Sequence, residues 1–413
     1  MKVPIKWIKE YIDLPDDLKV FTDKMSMIGH LLDKIEKTDT DTVVDLELRG
    51  NRADCYGVLG LAREYHAAAG GRFDIPHINM LPQIEYEVIK VTVDTSMVKR
   101  FYSCVIKGLV IKPSPDWMQE RLKNYGIEPI NNLIDITNYV MIETAKPMHA
   151  FDLDKLDDKE LVIKQAEDGD TIETFDGSQL KLTKEDTIYA DKNGTPLGVS
   201  GIIGGKNSGI SAEKHNSTTN ILLECAAYDR VAIRRSMFRH NIQTDAGLRH
   251  SHELHPSLCD YALARAVDLY MQFAADDNTE INGIADYYPN PDSQKVINFD
   301  PKETRRLGGI EIPVKEQSEI LNRLEFATEE TIDENNHEND SLIVSVPLFR
   351  TDILESADLV EEVLRIFGYE NIPSKTLSSV IPDPVTQKEL IIEEKSRDLL
   401  TALGLNEVIT VPI

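Results

Sequence analysis

Cysteine is scarce: the 413 residues hold four, Cys55, Cys104, Cys225 and Cys259, all far apart and none in a CxxC pair. That excludes a sequence-coded zinc knuckle and a disulfide framework, and makes a reducing cytoplasm the expected setting. Long apolar runs are missing too. No stretch approaches the roughly 18 consecutive apolar residues of a membrane span, and the N-terminus has no apolar leader segment, so no membrane contact is expected. Positive charge is in deficit, with a formal net charge of -26. Such an acidic surface repels polyanions as a whole, so any nucleic-acid contact has to be made by a local basic patch.

What remains is a chain long enough for about two to four domains with ample core. Residues 4–13 place Ile5, Ile8 and Tyr11 at helical spacing, and 43–48 alternate as a strand. Asn51-Arg52-Ala53-Asp54 offers caps for a helix ending at Gly70-Gly71. Strand-like segments follow at 88–93 and 101–111, then a helix over 115–125. The stretch 126–143 mixes Asn131, Asn132, Asp135, Thr137 and Asn138 with Leu133, Ile134, Ile136, Tyr139 and Val140, and leads to Pro147-Met148-His149. It reads as an apolar floor carrying a polar site.

Further along, the glycine-rich 198–211 precedes a buried strand over 219–229 with one carboxylate, Glu224. Arg230, Arg234, Arg235 and Arg239 then recur at helical spacing, a basic stripe on an acidic protein. It could contact phosphates or be a solvated face paired with acids. An apolar helix is expected over 258–274 and a linker over 286–292. Two helices and a hairpin turning at 333–340 then form a unit of roughly 85 residues, short of the ~100–150 typical of a domain. The last residues start a new helix and strand without partner strands, as in a fragment of a longer protein.

Several blocks carry a resemblance. NRADCYGVLGLARE, PINNLIDITNYVMIE with PMHAFD, GIIGG with ILLECA, TDAGLR, and FRTDILESADLVEEVLRIFGYENIP are, in this order, similar to the beta subunit of phenylalanyl-tRNA synthetase. The resemblance implies an α+β, multidomain protein: an N-terminal α+β domain (1–82), a mixed-sheet editing domain (83–285), a small winged-helix-like domain (286–375) and the start of a catalytic-like domain (376–413). The tRNA-binding OB insert usual in bacterial members is missing between the first helices and NRADC. The activity implied is support of a catalytic alpha subunit in ATP-dependent charging of tRNA(Phe), in an assembly of two alpha and two beta subunits, with hydrolysis of mischarged Tyr-tRNA(Phe). Tyrosine differs from phenylalanine by a hydroxyl that a hydrophobic pocket rejects poorly, so a second site demanding the hydroxyl is needed.

By the same resemblance Glu224 accepts the para-hydroxyl and His149 orients water or ester. Gly204, Thr244, Ala246 and Asn138 shape the pocket. Each has a plainer account: Glu224 paired to an arginine, His149 in a turn, Gly204 a turn glycine. Asp352, Asp358, Glu361 and Glu362 correspond to acids binding Mg2+ shared with the alpha subunit. Helical spacing sets the last three on one face, although acids at a helix start also suit its dipole. Glu128 stands where the family commonly has arginine, and RHSHELHP departs from its usual run. A second reading therefore stays open: a structural, RNA-binding subunit with an inactive editing site.

Overall fold

The structure, a computed structural model, describes residues 1–81, 89–213, 216–331, 341–374, 376 and 387–410. It divides into two units, Met1–Ile372 and Pro373–Ile413. Among the described residues no helix is long and apolar enough to cross a membrane.

The helix expected over 4–13 is confined to the one-turn α1 (Ile5–Ile8), preceded by strand β1 (Lys2–Pro4). The Met1 amino group donates to Asp45 Oδ1 (3.0 Å) and Leu46 O (2.7 Å). That draws Lys2–Pro4 into register with Asp45–Val43. Helix α2 (Leu18–Met27) follows, then the hairpin of β2 (Leu31–Lys37) and β3 (Thr42–Glu47), in a sheet ordered β1-β3-β2. The capping expected of residues 51–54 does not occur. Arg52 grips the Asp54 carboxylate at 3.0 and 2.8 Å, residues 53–56 make a 3₁₀ turn, and helix α3 (Val58–Ala69) begins only after Gly57.

The next region opens with β4 (Lys90–Asp94), β5 (Val98–Lys107), helices α4 (Asp116–Tyr125) and α5 (Asn132–Thr144), and β6 (His149–Asp152). Short strands come next: β7 (Glu160–Gln165), β8 (Thr171–Glu173), β9 (Gln179–Lys181), β10 (Thr187–Ala190), β11 (Pro196–Val199) and β12 (Ile203–Gly204). The ribbon of β13 (Ala212–Glu213) and β14 (Asn216–Ser217) leads to β15 (Ile221–Tyr228). Helices α6 (Arg230–His240), α7 (Asp245–His250) and α8 (Leu258–Phe273) and strand β16 (Glu280–Tyr287) complete it.

Two sheets dominate, a four-stranded antiparallel one ordered β16-β5-β15-β6 and a five-stranded mixed one ordered β12-β11-β10-β7-β4, in which β4 and β7 are parallel. Strand β15 is buried along its whole length, and its two-residue period decides what each face meets. Ile221, Leu223 and Cys225 join the core that includes residues of α5 and α8. Leu222, Ala226 and Tyr228 join the core shared with the five-stranded sheet. Glu224 falls in the second series, so its carboxylate is directed into apolar surroundings.

The stretch 286–292 is not a free linker. Asp286 and Tyr287 are the last pairs of β16, and Asp286 accepts from Arg100 Nε (3.0 Å) and Nη2 (2.8 Å). Beyond it come β17 (Val296–Phe299), α9 (Lys302–Gly308), α10 (Val314–Arg323), β18 (Ala327–Thr331), β19 (Ser341–Ser345) and α11 (Ser356–Phe367), with an antiparallel sheet ordered β17-β19-β18. The polar turn expected at 333–340 lies outside the described residues. The smaller unit contains helix α12 (Lys388–Ala402); the strand expected after it is not formed among the described residues.

Candidate functional site

Helix α5 begins where Asn131 accepts from the Leu133 and Ile134 amides, and ends at Ala145, whose φ of 66° turns the chain back through Lys146-Pro147. The reversal delivers His149 onto β6 directly opposite Glu224 of β15. Three of the polar residues before it serve the fold and not a site. Asn132 Nδ2 donates to Val110 O and Phe273 O (2.9 and 3.0 Å), and Asp135 accepts from Ser114 Oγ (2.5 Å) and the Ile130 amide (2.8 Å). Thr137 and Asn138, on the other side of the helix, line a cavity of about 520 Å³.

That cavity brings together His149, Glu224, Gly204, Thr244, Ala246 and Asn138, six residues spread over more than 100 positions of sequence. The apolar part of its wall includes Ile127, Ile134, Met141, Ile202 and Ile203. Asp352, Asp358, Glu361 and Glu362 are not part of it.

Burial pushes the Glu224 carboxyl up to about 7, against hydrogen bonds from Tyr228 and Tyr189 that pull it down. Tyr228 donates to Glu224 Oε1 at 2.9 Å, and its hydroxyl lies 2.6 Å from that of Tyr189. His149 is pushed down to about 4 by burial, so it is neutral near pH 7. Its Nε2 is shut off from solvent and has no hydrogen-bond partner among the described residues, while the ring lies edge-on to Phe151 at 4.4 Å. The glycine-rich turn makes room for these rings. A Cβ on Gly204 would stand 2.6 Å from His149 Cε1, and one on Gly201, whose φ is +70°, would stand 2.7 Å from the Tyr228 ring. Thr244 caps α7 by accepting from the Gly247 amide and donates to Ile202 O, both at 2.9 Å, tying helix to turn.

Sequence reasoning missed Tyr189, Tyr228 and His250. Tyr228 was findable: it lies four residues after Glu224 in a strand, hence on the same face. His250 lines the cavity edge-on to Tyr228 (5.0 Å), and burial, with Lys146 and Arg249 nearby, holds it well below the usual histidine range. Lys146 is fully buried, with Nζ unpartnered among the described residues. Glu128 is exposed; its neighbours Ile127 and Ile130 line the cavity and it does not.

Within this chain the four acids have separate surroundings. Asp352 accepts from Arg350 Nε and Nη2, both at 2.8 Å, and Glu362 from Arg350 and from Arg365 Nε (2.7 Å) and Nη2 (2.6 Å). Burial pushes Glu362 up, but Arg350 and Arg365 hold it well below the usual carboxylate range. Asp358 is occupied as a cap, accepting from the Leu354 and Glu355 amides at 2.7 and 2.9 Å. Glu361 faces solvent while Glu362 is buried, because adjacent residues diverge by about 100° round a helix. Among the described residues no group of three or more acids, histidines or cysteines could hold a metal ion.

Comparison with known proteins assigns the class. Residues 97–275 match the B3/4 domain and residues 297–369 the tRNA synthetase B5 domain, the pairing of an aminoacyl-tRNA synthetase component. Phenylalanine--tRNA ligase beta subunits of Geobacter sulfurreducens and Rhodopirellula baltica are 36% and 31% identical, over 90% and 99% of this chain. The chain belongs to the phenylalanine--tRNA ligase beta-subunit family. It spans about half the length of these relatives, 45% and 58% respectively. An N-terminal fragment of the phenylalanyl-tRNA synthetase beta-subunit from Pyrococcus horikoshii has the same fold, with a TM-score of 0.51 over 89% of this chain and 99% of the fragment at 16% identity.

Proposed function

We propose that the cavity hydrolyses the ester of tyrosine mischarged on tRNA(Phe), in a beta subunit that assembles with a catalytic alpha subunit. The observation that carries this reading is a buried carboxylate, Glu224, set in a largely apolar cavity of a size suited to a small ligand. A buried carboxylate favours a ligand that brings a hydroxyl donor and disfavours one that brings only an apolar ring. His149, neutral with Nε2 unpartnered, is suited to orient a water against the ester carbonyl. Water adds to the carbonyl carbon, the bond to the ribose oxygen breaks, and that oxygen takes the proton, leaving tyrosine and tRNA. No serine or cysteine nucleophile is needed for so reactive an ester once water and ester are positioned.

Aminoacylation itself, with ATP, would take place on the alpha subunit, in a two-alpha, two-beta assembly of the cytoplasm. In this reading magnesium is shared with that subunit at Asp352, Asp358, Glu361 and Glu362, of which Asp352 and Glu362 are held by arginines within this chain. The alternative of an inactive editing site rests on Glu128, which is exposed and outside the cavity wall, and on the departure at 249–256, of which His250 lines the cavity. The test is release of tyrosine from Tyr-tRNA(Phe) by the heteromer reconstituted with the full-length beta subunit. Expected is release well above the uncatalysed rate, falling at least about tenfold in Glu224→Ala, the size of one lost polar contact of ~1.4 kcal/mol. Equal release by wild type and variant would refute it.

A further inference from the structure

A second cavity of about 460 Å³ adjoins the first: Thr244 and Asp245 line both. Its outer wall is one stripe of α6 and the turn after it, where Arg234, Phe238 and Asn241 stand at i, i+4 and i+7 and so share a face. Phe238 is 89% exposed, the most exposed aromatic ring among the described residues. Hydrophobic burial would not leave it there.

The charge beside it is local and uncommitted. Arg239 is taken by Glu185 and Asp186, and Arg230 by Glu253. Among the described residues Arg234 and Arg235 make no ion pair, and both are exposed. On a chain of net charge -26 this is the kind of confined basic spot that a polyanion could approach. The cavity's only carboxylate, Asp245, is neutralised from below: Oδ1 accepts from the buried Arg249 (2.6 Å) and from Tyr125 (3.0 Å). An exposed aromatic face, an adjoining free guanidinium and an exposed amide are what a single-stranded nucleotide needs: a platform for the base, a cation for the phosphate and a partner for the base edge.

We infer that this groove binds the 3′-terminal nucleotides of the aminoacylated RNA, with a base stacked on Phe238 and a phosphate at Arg234, so that the esterified ribose lies at Thr244 and the aminoacyl group enters the inner cavity. The inference rests on the hydrolytic reading above, and deepens it by assigning where the nucleic acid is held.

The test measures binding and hydrolysis separately. A fluorescent RNA hairpin with a single-stranded CCA 3′ end, carrying no amino acid, is titrated into the 413-residue chain at low salt and followed by anisotropy. Phe238→Ala is expected to raise Kd about five- to tenfold, as loss of one base stack does. Arg234→Glu should weaken binding and reduce the slope of log Kd against log salt by about one. Both surface variants replace exposed side chains, and unchanged thermal melting would verify that they fold. Wild-type Kd in both variants, or no saturable binding of the hairpin by the wild type, overturns the inference. Intact, Phe238-dependent binding with no tyrosine release instead refutes the hydrolytic reading and leaves the groove standing.

Discussion

Glu224 keeps its proton up to about pH 7 because the second face of β15 is packed against the five-stranded sheet, and ionisation there forfeits hydration that two tyrosine hydroxyls only partly replace. Its folded value lies above the ordinary 4.5, so the stability it contributes is complete below about 4.5 and is lost as pH rises through about 7. At ~1.4 kcal/mol per unit the ionised form costs roughly 3 kcal/mol at pH 8. Glu224→Gln should therefore melt higher than wild type at pH 8 and nearly with it at pH 5, read by calorimetry at both values. An equal gap at both pH values would place the carboxylate in a solvated setting. His149 runs the other way: its value is depressed, so its contribution is present above 6.5 and lost as pH falls through about 4. Because both proteins carry His149, that loss cancels in the comparison. Tyrosine release should rise through about pH 7, as the ionised carboxylate becomes the acceptor of the substrate hydroxyl.

At the scale of elements, β15 and α5 were the most legible. A run of eight residues, seven apolar or small and one glutamate, reads as a strand covered on both faces, and the strand forms over Ile221–Tyr228, within the expected 219–229. In α5 the sequence displayed five polar residues, but not their division between fold and cavity. Asn132 and Asp135 bond to segments 20 or more residues away or across the sheet, partners that no local pattern announces. The start of the chain departed in a related way: of the helix expected over 4–13 only Ile5–Ile8 forms, with Pro4 paired to Val43 of β3 and Ile12 bridged to Phe73. Asn132→Ala would leave the carbonyls of Val110 and Phe273 and the Lys112 amide without their partner. At about 1–3 kcal/mol for a buried unpaired group, the loss should reach about 3 kcal/mol, measurable as a lowered urea midpoint. A loss under about 1 kcal/mol would mean that water replaces the amide there.

On the scale of the larger unit, two of the acids that resembled metal ligands, Asp352 and Glu362, belong to a lattice joining α3 to α11. Glu64 accepts from Arg52 Nη2 (2.7 Å) and Arg365 Nη2 (3.1 Å), Arg365 also holds Glu362, Glu362 holds Arg350, and Arg350 holds Asp352. All but Asp352 are buried. Spacing along one helix could not reveal the reach of this lattice, because Glu64 lies 301 residues from Arg365 in sequence. Such a lattice is stabilising only while complete: removing one cation strands the anions it compensated, at about 3–5 kcal/mol. Arg365→Met should cost that much, and Glu64→Gln in the same chain should recover part of it by removing a stranded charge. Both carboxylates lie below their ordinary range against the push of burial, held there by the arginines. Their contribution is thus present above the ordinary carboxylate pKa and lost as pH falls through the depressed values. The deficit of Arg365→Met should accordingly shrink as the medium is acidified, read as converging denaturation midpoints of variant and wild type. A deficit independent of pH, and no recovery by Glu64→Gln, would show that Arg365 acts by packing alone.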